Sequence, residues 1–512
     1  RTGNLMNSKN HPKAAEADIC LLLEGSYPYI SGGVSSWVAQ MLKSFSHLKF
    51  AIVFIGSEKN DYGKMKYELA ENVVHFQEHF LRDEEAHKNI KVKKTKLSKK
   101  QYRSVAKLHD WFHEEETNRS DIIEKVLRYY EKGPNEVTFE QFLFSDGAWD
   151  FNCKAFSQYC TDPSFIDYFW TIRNMHAPMW LIGEIIKELP KVKVFHTIST
   201  GYAGYFGALL KYHFKLPLIL SEHGIYTKER RIDLVKGQWV HDNRSIFLKD
   251  TTSSGYYKEL WIRFFESLAK ICYQASSEII SLYAGVQPLQ IQGGADSKKL
   301  SIIANGDNVE ALRPLRDLRD DKQENIICFL GRVVPIKDIK TLIRCMPIVL
   351  KTIPDAQIWL VAPQDEDKEY NAECIAMVKE LKLSEHVTFM GKQNIKDILY
   401  KIRVMVLSSI SEGLPISVLE GFAAGVPAIT TNVGACVELI NGLDDDDKAL
   451  GKSGRVVEIA NPVALAKAII ELLQDKKAWS QAQKTAIERV EKHYDLSLMI
   501  EKYDDIYKKA MK

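Results

Sequence analysis

Short apolar runs alternate along much of the chain with stretches whose apolar residues keep helical spacing. Residues 18–23 form such a run, and a glycine-containing loop follows. Val34, Trp37, Val38, Met41, Leu42 and Phe45 then recur at i, i+3, i+4 and i+7, the stripe of an amphipathic helix. Residues 50–55 are again apolar. Strand, helix and strand so close together form a βαβ unit. Parallel strands need a crossover, and the crossover is right-handed, so the opening predicts a parallel sheet.

From about 57 to 190 the rhythm lapses into charged and aromatic helical segments without a strand of their own, which reads as an insertion. Its basic run, Lys91, Lys93, Lys94, Lys96, Lys99, Lys100 and Arg103, reads first as a solvated helix face. An anionic membrane surface or an acidic partner is the alternative. The alternation returns with expected strands at 193–196, 218–221, 278–282 and 300–304. Asn305-Gly306-Asp307 then makes a turn, and a polar stretch with Pro314 marks a domain boundary.

A second set of strands is expected at 326–330, 357–361, 387–390, 404–407, 428–430 and 455–457, with helical material between them. The last segment, 496–512, keeps helical spacing through Leu496, Met499, Ile500, Tyr503, Ile506, Tyr507 and Ala510. The expected fold class is α/β, with two Rossmann-like, doubly wound parallel-sheet domains. The first covers 18–310 and is rejoined by the C-terminal helix; the second covers 311–495. The acidic run 444–447 reads as a solvated loop.

Composition narrows the function classes. Hydrophobic residues at 45% and charged residues at 27% match an ordinary globular chain. A net charge of +2 argues against a surface built for polyanions, so nucleic acid is not an expected partner. The eight cysteines form no C-x-x-C pair and read as buried thiols of a reducing compartment. No apolar run reaches the roughly 18 residues that span a bilayer.

The richest stretch is 408–427. It follows an expected strand, Pro415 suits a first helical turn, and Gly425 with Pro427 ends the helix. Glu412 therefore lies in the loop and Glu420 in the helix, both at the carboxyl end of the sheet, where open α/β folds bind ligands. Ionised carboxylates only accept hydrogen bonds, so such a pair suits vicinal hydroxyls. Surface acids complementing a helix start are the plain alternative. A second loop favours the functional reading. Gly331, Arg332 and Lys337 follow the first strand of the same domain, and Asp338 stands where it caps a helix with Ile339, Leu342, Ile343, Met346 and Leu350 on one face. Two cations at a strand end suit a diphosphate.

Other candidates carry less. Asp365-Glu366-Asp367 reads as an exposed loop rather than a metal-binding triplet. His196 and His223 end neighbouring strands, where each either touches a sugar or acceptor or serves the core. Trp37, Trp149, Trp170 and Trp180 default to packing. Gly25 and Gly32-Gly33 do not form G-x-G-x-x-G, which argues against a dehydrogenase.

Together, Arg332 with Lys337 five residues on, and Glu412 with Glu420 eight residues on, resemble the retaining family 4 glycosyltransferases of the GT-B architecture. Ser31-Gly32-Gly33-Val34 is similar to that family's glycine-rich loop, which faces the donor diphosphate across an interdomain cleft. More narrowly, Glu24-Gly25-Ser26-Tyr27-Pro28-Tyr29, Ser221-Glu222-His223-Gly224-Ile225-Tyr226 and the 331–338 loop resemble the PelF family, the cytosolic transferases of Pel exopolysaccharide biosynthesis. The resemblance extends over about 18–507. Asp338 departs from it, since many family 4 members have glycine there.

The resemblance implies roles position by position. Glu420 holds the ribose hydroxyls, and Arg332 and Lys337 the diphosphate. Glu412 with the Gly413 and Leu414 backbone holds the transferred sugar, and the base lies against Gly391 and Lys392. It further implies a metal-independent, retaining hexosyltransferase that needs no cofactor. The donor is a UDP-hexose, the acceptor a growing polysaccharide, and inner-membrane components of a synthase complex are possible partners. A cytoplasmic location, at most peripheral at the inner face of the plasma membrane, goes with these expectations. A hydrolase is disfavoured, because its paired carboxylates flank the scissile bond. A non-catalytic nucleotide-sugar-binding subunit and a sugar-nucleotide epimerase are the alternatives.

Overall fold

The computed structural model describes residues 11–82, 106, 109, 137–236, 255–320, 324–363 and 367–512. The chain divides into two compact units. Unit 1 takes Arg1–Ile280, Pro288–Ser301 and Ile506–Lys512; unit 2 takes Ser281–Gln287 and Ile302–Asp505.

Unit 1 is built on seven strands: β1 (Ile19–Glu24), β2 (Phe50–Gly56), β3 (Val73–Phe80), β4 (Val194–Thr197), β5 (Leu218–Glu222), β6 (Glu278–Ser281) and β7 (Leu300–Ile302). Their order is β3-β2-β1-β4-β5-β6-β7, and β3–β2, β2–β1, β1–β4 and β4–β5 pair in parallel. Every residue of β2 is buried, as a strand covered by helices on both faces requires. The helix Gly33–Ser44 joins β1 to β2 and buries Ser35, Trp37, Val38, Met41 and Leu42 along one stripe. Trp37 is therefore a core residue, as its spacing predicts. Tyr507 of the terminal helix Leu496–Ala510 is also buried in unit 1.

Unit 2 carries β8 (Ile326–Leu330), β9 (Gln357–Val361), β10 (Val387–Phe389), β11 (Val404–Leu407), β12 (Ala428–Thr431) and β13 (Gly454–Val457). The order is β10-β9-β8-β11-β12-β13, and every neighbouring pair is parallel. The helix Ile339–Leu350 buries Ile339, Leu342, Ile343, Cys345, Met346 and Val349, the face read from the sequence.

Three readings need correction or completion. The stretch expected to lack a strand contains β3. Its His75, Gln77 and His79 disguise it as polar, and they bond one another: Gln77 Nε2 and His75 Nε2 lie 2.7 Å apart, His79 Nε2 and Gln77 Oε1 3.0 Å. The acidic run is not a solvated loop. Asp444 caps a short helix, Asp445–Ala449, and Asp447 is fully buried against Arg489 at 2.6 Å. That guanidinium also donates to the carbonyls of Leu439, Ile440, Asp447 and Gly451, so the charge leaves water fully bonded. Six cysteines are buried, but Cys153 and Cys160 are only half-buried.

The basic run from Lys91 to Arg103 and the acids Asp365 and Glu366 lie outside the described residues. Asp367 caps the helix Lys368–Glu380 through a bond from the Tyr370 N–H. Among the described residues, no helix is long and apolar enough to cross a membrane.

Candidate functional site

The strand order of unit 2 locates a crevice. From β8 the chain winds outward through β9 to β10; it then returns to β11 beside β8 and winds the other way to β13. Loops leaving the carboxyl ends of β8 and β11 thus diverge, and this switch point is where open α/β sheets take ligands. Arg332 and Lys337 leave β8; Glu412, Gly413 and Leu414 leave β11. Arg332 is exposed, Lys337 half-buried, and Leu414 buried.

Backbone and side-chain bonds hold these loops together. The Ile410 N–H donates to the Ile336 carbonyl at 2.8 Å, and Ser408 Oγ donates to the Lys337 carbonyl at 3.0 Å. Thr431 Oγ1 fixes the Ser409 carbonyl from β12 at 2.6 Å. Asp338 takes left-handed backbone geometry, φ 44°, and caps Ile339–Leu350 by accepting from the Thr341 N–H and hydroxyl. The capping expected of it is present, and aspartate is among the few side chains that tolerate this conformation.

The pinned loops bring Lys337 and Glu412 together. Lys337 Nζ lies 2.5 Å from Glu412 Oε1, and their side chains are only 16% and 9% exposed. Ser409 Oγ donates to the same oxygen at 2.5 Å. The helix Ile416–Ala423 begins after Pro415 without a side-chain cap, and in its first turn the Val418 N–H donates to the Pro415 carbonyl at 3.2 Å.

Glu420 lies on that helix, with its carboxyl pushed up to about 8, first by burial and second by the carboxylate of Asp307. Asp307 is itself raised, first by burial, and its Oδ2 is buried without a hydrogen bond among the described residues. Gly391 and Lys392 follow β10 at the edge of the sheet, two strands from β8. Gly391 takes φ 68°, and Lys392 is exposed.

Unit 1 has its own switch point, between β1 and β4. Gly32 and Gly33 open the helix after β1, with clear space where each Cβ would stand. His196 does not face this opening. It is fully buried, with Nδ1 2.8 Å from the Tyr507 hydroxyl and Nε2 2.8 Å from Ser221 Oγ, so both ring nitrogens serve the core. His223, after β5, differs. Its ring packs edge-on to Trp37 at 4.8 Å, its Nε2 is buried without a hydrogen bond among the described residues, and burial lowers its pKa to about 4.

Sequence reasoning missed Ser409, Asp307 and Gly434. Ser409 stands beside the glutamate loop, but nothing in its pattern shows which way its hydroxyl turns. Asp307 was visible only as a turn residue. Gly434 takes φ 53°, and a Cβ there would stand 2.3 Å from the Glu412 carbonyl and 2.4 Å from that of Gly413. The Ala435 N–H next to it donates to the Gly413 carbonyl at 2.9 Å. This close approach presses the glutamate loop into place, and a single glycine after a strand carries no signal of it.

With this geometry established, comparison with known proteins adds the kinship. Residues 17–298 match the family described as domain of unknown function DUF3492, and residues 315–492 match glycosyl transferases group 1. N-acetyl-alpha-D-glucosaminyl L-malate synthase of Bacillus anthracis is 26% identical over 187 residues, which cover 36% of this chain and 46% of that protein. The putative glycosyltransferase EpsD of Bacillus subtilis is 28% identical over 243 residues, 45% of this chain and 58% of its own. The chain thus spans less than two thirds of either relative. Among solved structures, Anabaena HepE in complex with UDP superposes with a TM-score of 0.57 at 13% identity, covering 96% of this chain and all 100% of its own. Sucrose-phosphate synthase of Thermosynechococcus elongatus gives 0.57 at 16%, covering 96% and 98%. At such identities the likeness is one of fold, that of the GT-B glycosyltransferases with their two Rossmann-like parallel-sheet domains. More than half of the chain matches a single family, so the protein belongs to the DUF3492 family, with a glycosyl transferases group 1 domain in its second unit.

Proposed function

We propose that the protein is a retaining, metal-independent hexosyltransferase that moves a sugar from a UDP-hexose to a growing exopolysaccharide of the Pel type in the cytoplasm. One observation carries the reading: a cation loop and a glutamate loop meet at the switch point of a group 1 glycosyltransferase domain. HepE, which shares the fold, has been solved with UDP and with UDP-glucose, and this supports the choice of donor.

In this reading Glu420 accepts from the ribose hydroxyls. Arg332 and Lys337 take the diphosphate, and Glu412 with the Gly413 and Leu414 backbone takes the hexose. Gly391 and Lys392 border the base. Breaking the anomeric bond builds charge on the departing diphosphate. Arg332 and Lys337, once set against the diphosphate, favour that charge more in the transition state than in the ground state. Arg332 and Lys337 supply the positive charge that a metal supplies elsewhere. Of the two histidines, His223 is the one retained as a sugar or acceptor contact, because its Nε2 has no hydrogen bond among the described residues.

The test is calorimetric titration with UDP, joined to a UDP-release assay over a panel of UDP- and GDP-sugars with polysaccharide acceptor. Binding of UDP with release from one UDP-sugar supports the reading. Binding without turnover supports the non-catalytic subunit, and a free epimerised sugar nucleotide supports the epimerase. No affinity for UDP rejects all three.

A further inference from the structure

In the proposed donor site, the ammonium expected to meet the diphosphate is already occupied. Lys337 Nζ lies against Glu412 Oε1 at 2.5 Å, and Ser409 Oγ holds the same oxygen at the same distance. Among the described residues, no group donates to Glu412 Oε2, and Glu412 is the only carboxylate paired with Lys337. The pair is also shielded, at 16% and 9% side-chain exposure, so its attraction is screened less than that of a surface pair. Such an arrangement keeps both charges compensated when no anion is present. It also sets any incoming anion in competition with Glu412.

We propose that the Lys337–Glu412 ion pair is the resting state of the donor site, and that a diphosphate opens it by partner exchange. Lys337 turns from the carboxylate to the phosphate oxygens. Glu412, still held by the Ser409 hydroxyl, is left with acceptor capacity for the hydroxyls of the donor sugar. Glu412 thereby has two successive partners, an ammonium without ligand and a sugar with it. The exchange also gives selectivity. An anion without a sugar opens the pair and leaves Glu412 uncompensated, whereas a nucleotide sugar supplies replacements for both partners.

The proposal rests on the UDP-sugar reading above, and the experiment separates the two. Affinities for UDP and for uridine are measured calorimetrically in the wild type, Glu412→Gln, Lys337→Met and the double variant, each checked by its thermal midpoint. Glu412→Ala is the second variant, in case the glutamine substitution perturbs folding. Exchange predicts that removing the carboxylate tightens UDP by about fivefold, the upper range for a partly exposed ion pair. Uridine, which carries no phosphate, shows no gain, and in the Lys337→Met background the gain vanishes. Unchanged or weaker UDP binding in both Glu412 variants overturns the exchange and leaves the donor-site reading standing. A gain that persists without Lys337 also overturns it, as a general field effect. A wild type with no affinity for UDP removes both.

Discussion

The carboxylate of Asp307, on the turn before the helix Val309–Leu312, acts with burial to raise the carboxyl of Glu420, on the helix Ile416–Ala423. Burial first and the Asp307 charge second thus let Glu420, the proposed ribose ligand, keep its proton up to a pH of about 8.

A ribose diol is better accepted by the ionised carboxylate, so bound UDP should draw the Glu420 pKa down and release a proton. Affinity should then rise with pH from the ordinary carboxylate range to about 8 and level off above it. Titrations in buffers of differing ionisation enthalpy measure the proton directly. The rise should disappear in Glu420→Gln, whose curve also subtracts the ionisation of UDP itself. In Asp307→Asn the plateau should begin at lower pH, because one cause of the raised pKa has gone. A wild-type curve parallel to that of Glu420→Gln would exclude the assignment.

The same shift bears on folding. Glu420 binds its proton more tightly folded than unfolded, so its contribution to stability is greatest at low pH. That contribution is lost as pH climbs from about 4.3 towards the folded value, since ∂ΔG/∂pH follows the proton difference. Denaturant midpoints at matched pH values should show a smaller loss in Glu420→Gln than in the wild type.

Gly434→Ala tests the backing of the glutamate loop. Its left-handed φ strains any side chain, and the Cβ meets two backbone carbonyls that cannot rotate away. A destabilisation of about 1–3 kcal/mol is expected by urea unfolding, together with loss of turnover as the Glu412–Gly413 segment shifts. Full stability and full turnover would show that the loop has slack.

Arg489 and Asp447 offer a prediction independent of function. Arg489→Ala leaves a fully buried carboxylate without its partner and should cost about 3–5 kcal/mol. The double change to Arg489→Met and Asp447→Leu should recover part of that loss, because neither charge is then buried. Equal losses in the single and double variants would mean that packing rather than charge is at stake.

The histidines divide on the same principle. His196→Ala removes one hydrogen-bond partner each from the Tyr507 and Ser221 hydroxyls, empties a buried position and should lower the melting temperature. His223→Ala should leave folding less affected and lower turnover. Reversed results would move the sugar or acceptor contact to the buried ring.

Local spacing was enough for most of the fold. Apolar runs with β-branched residues specify strands, and i, i+3, i+4 stripes such as that of Ile339–Leu350 specify helices, because burial of one face sets the period. Chain order also placed Arg332, Lys337, Glu412 and Glu420 after strands or in helices of one domain. β3 escaped, because an edge strand satisfies polar side chains among themselves and so loses its apolar signature.

Contacts between residues distant in the chain were decided by tertiary structure alone. Asp447 reads as one of four like acids until Arg489, far along the chain, folds back and selects it for burial. The sequence could not distinguish His196 from His223, because only the folded chain sets Tyr507 and Ser221 against the first ring and leaves Nε2 of the second without a hydrogen bond among the described residues. Sequence alone therefore determined the elements and the kinds of group near the carboxyl ends of the strands. Which groups are paired, and which remain available, depends on three-dimensional proximity, because electrostatic and hydrogen-bond energies fall with distance in space rather than along the chain.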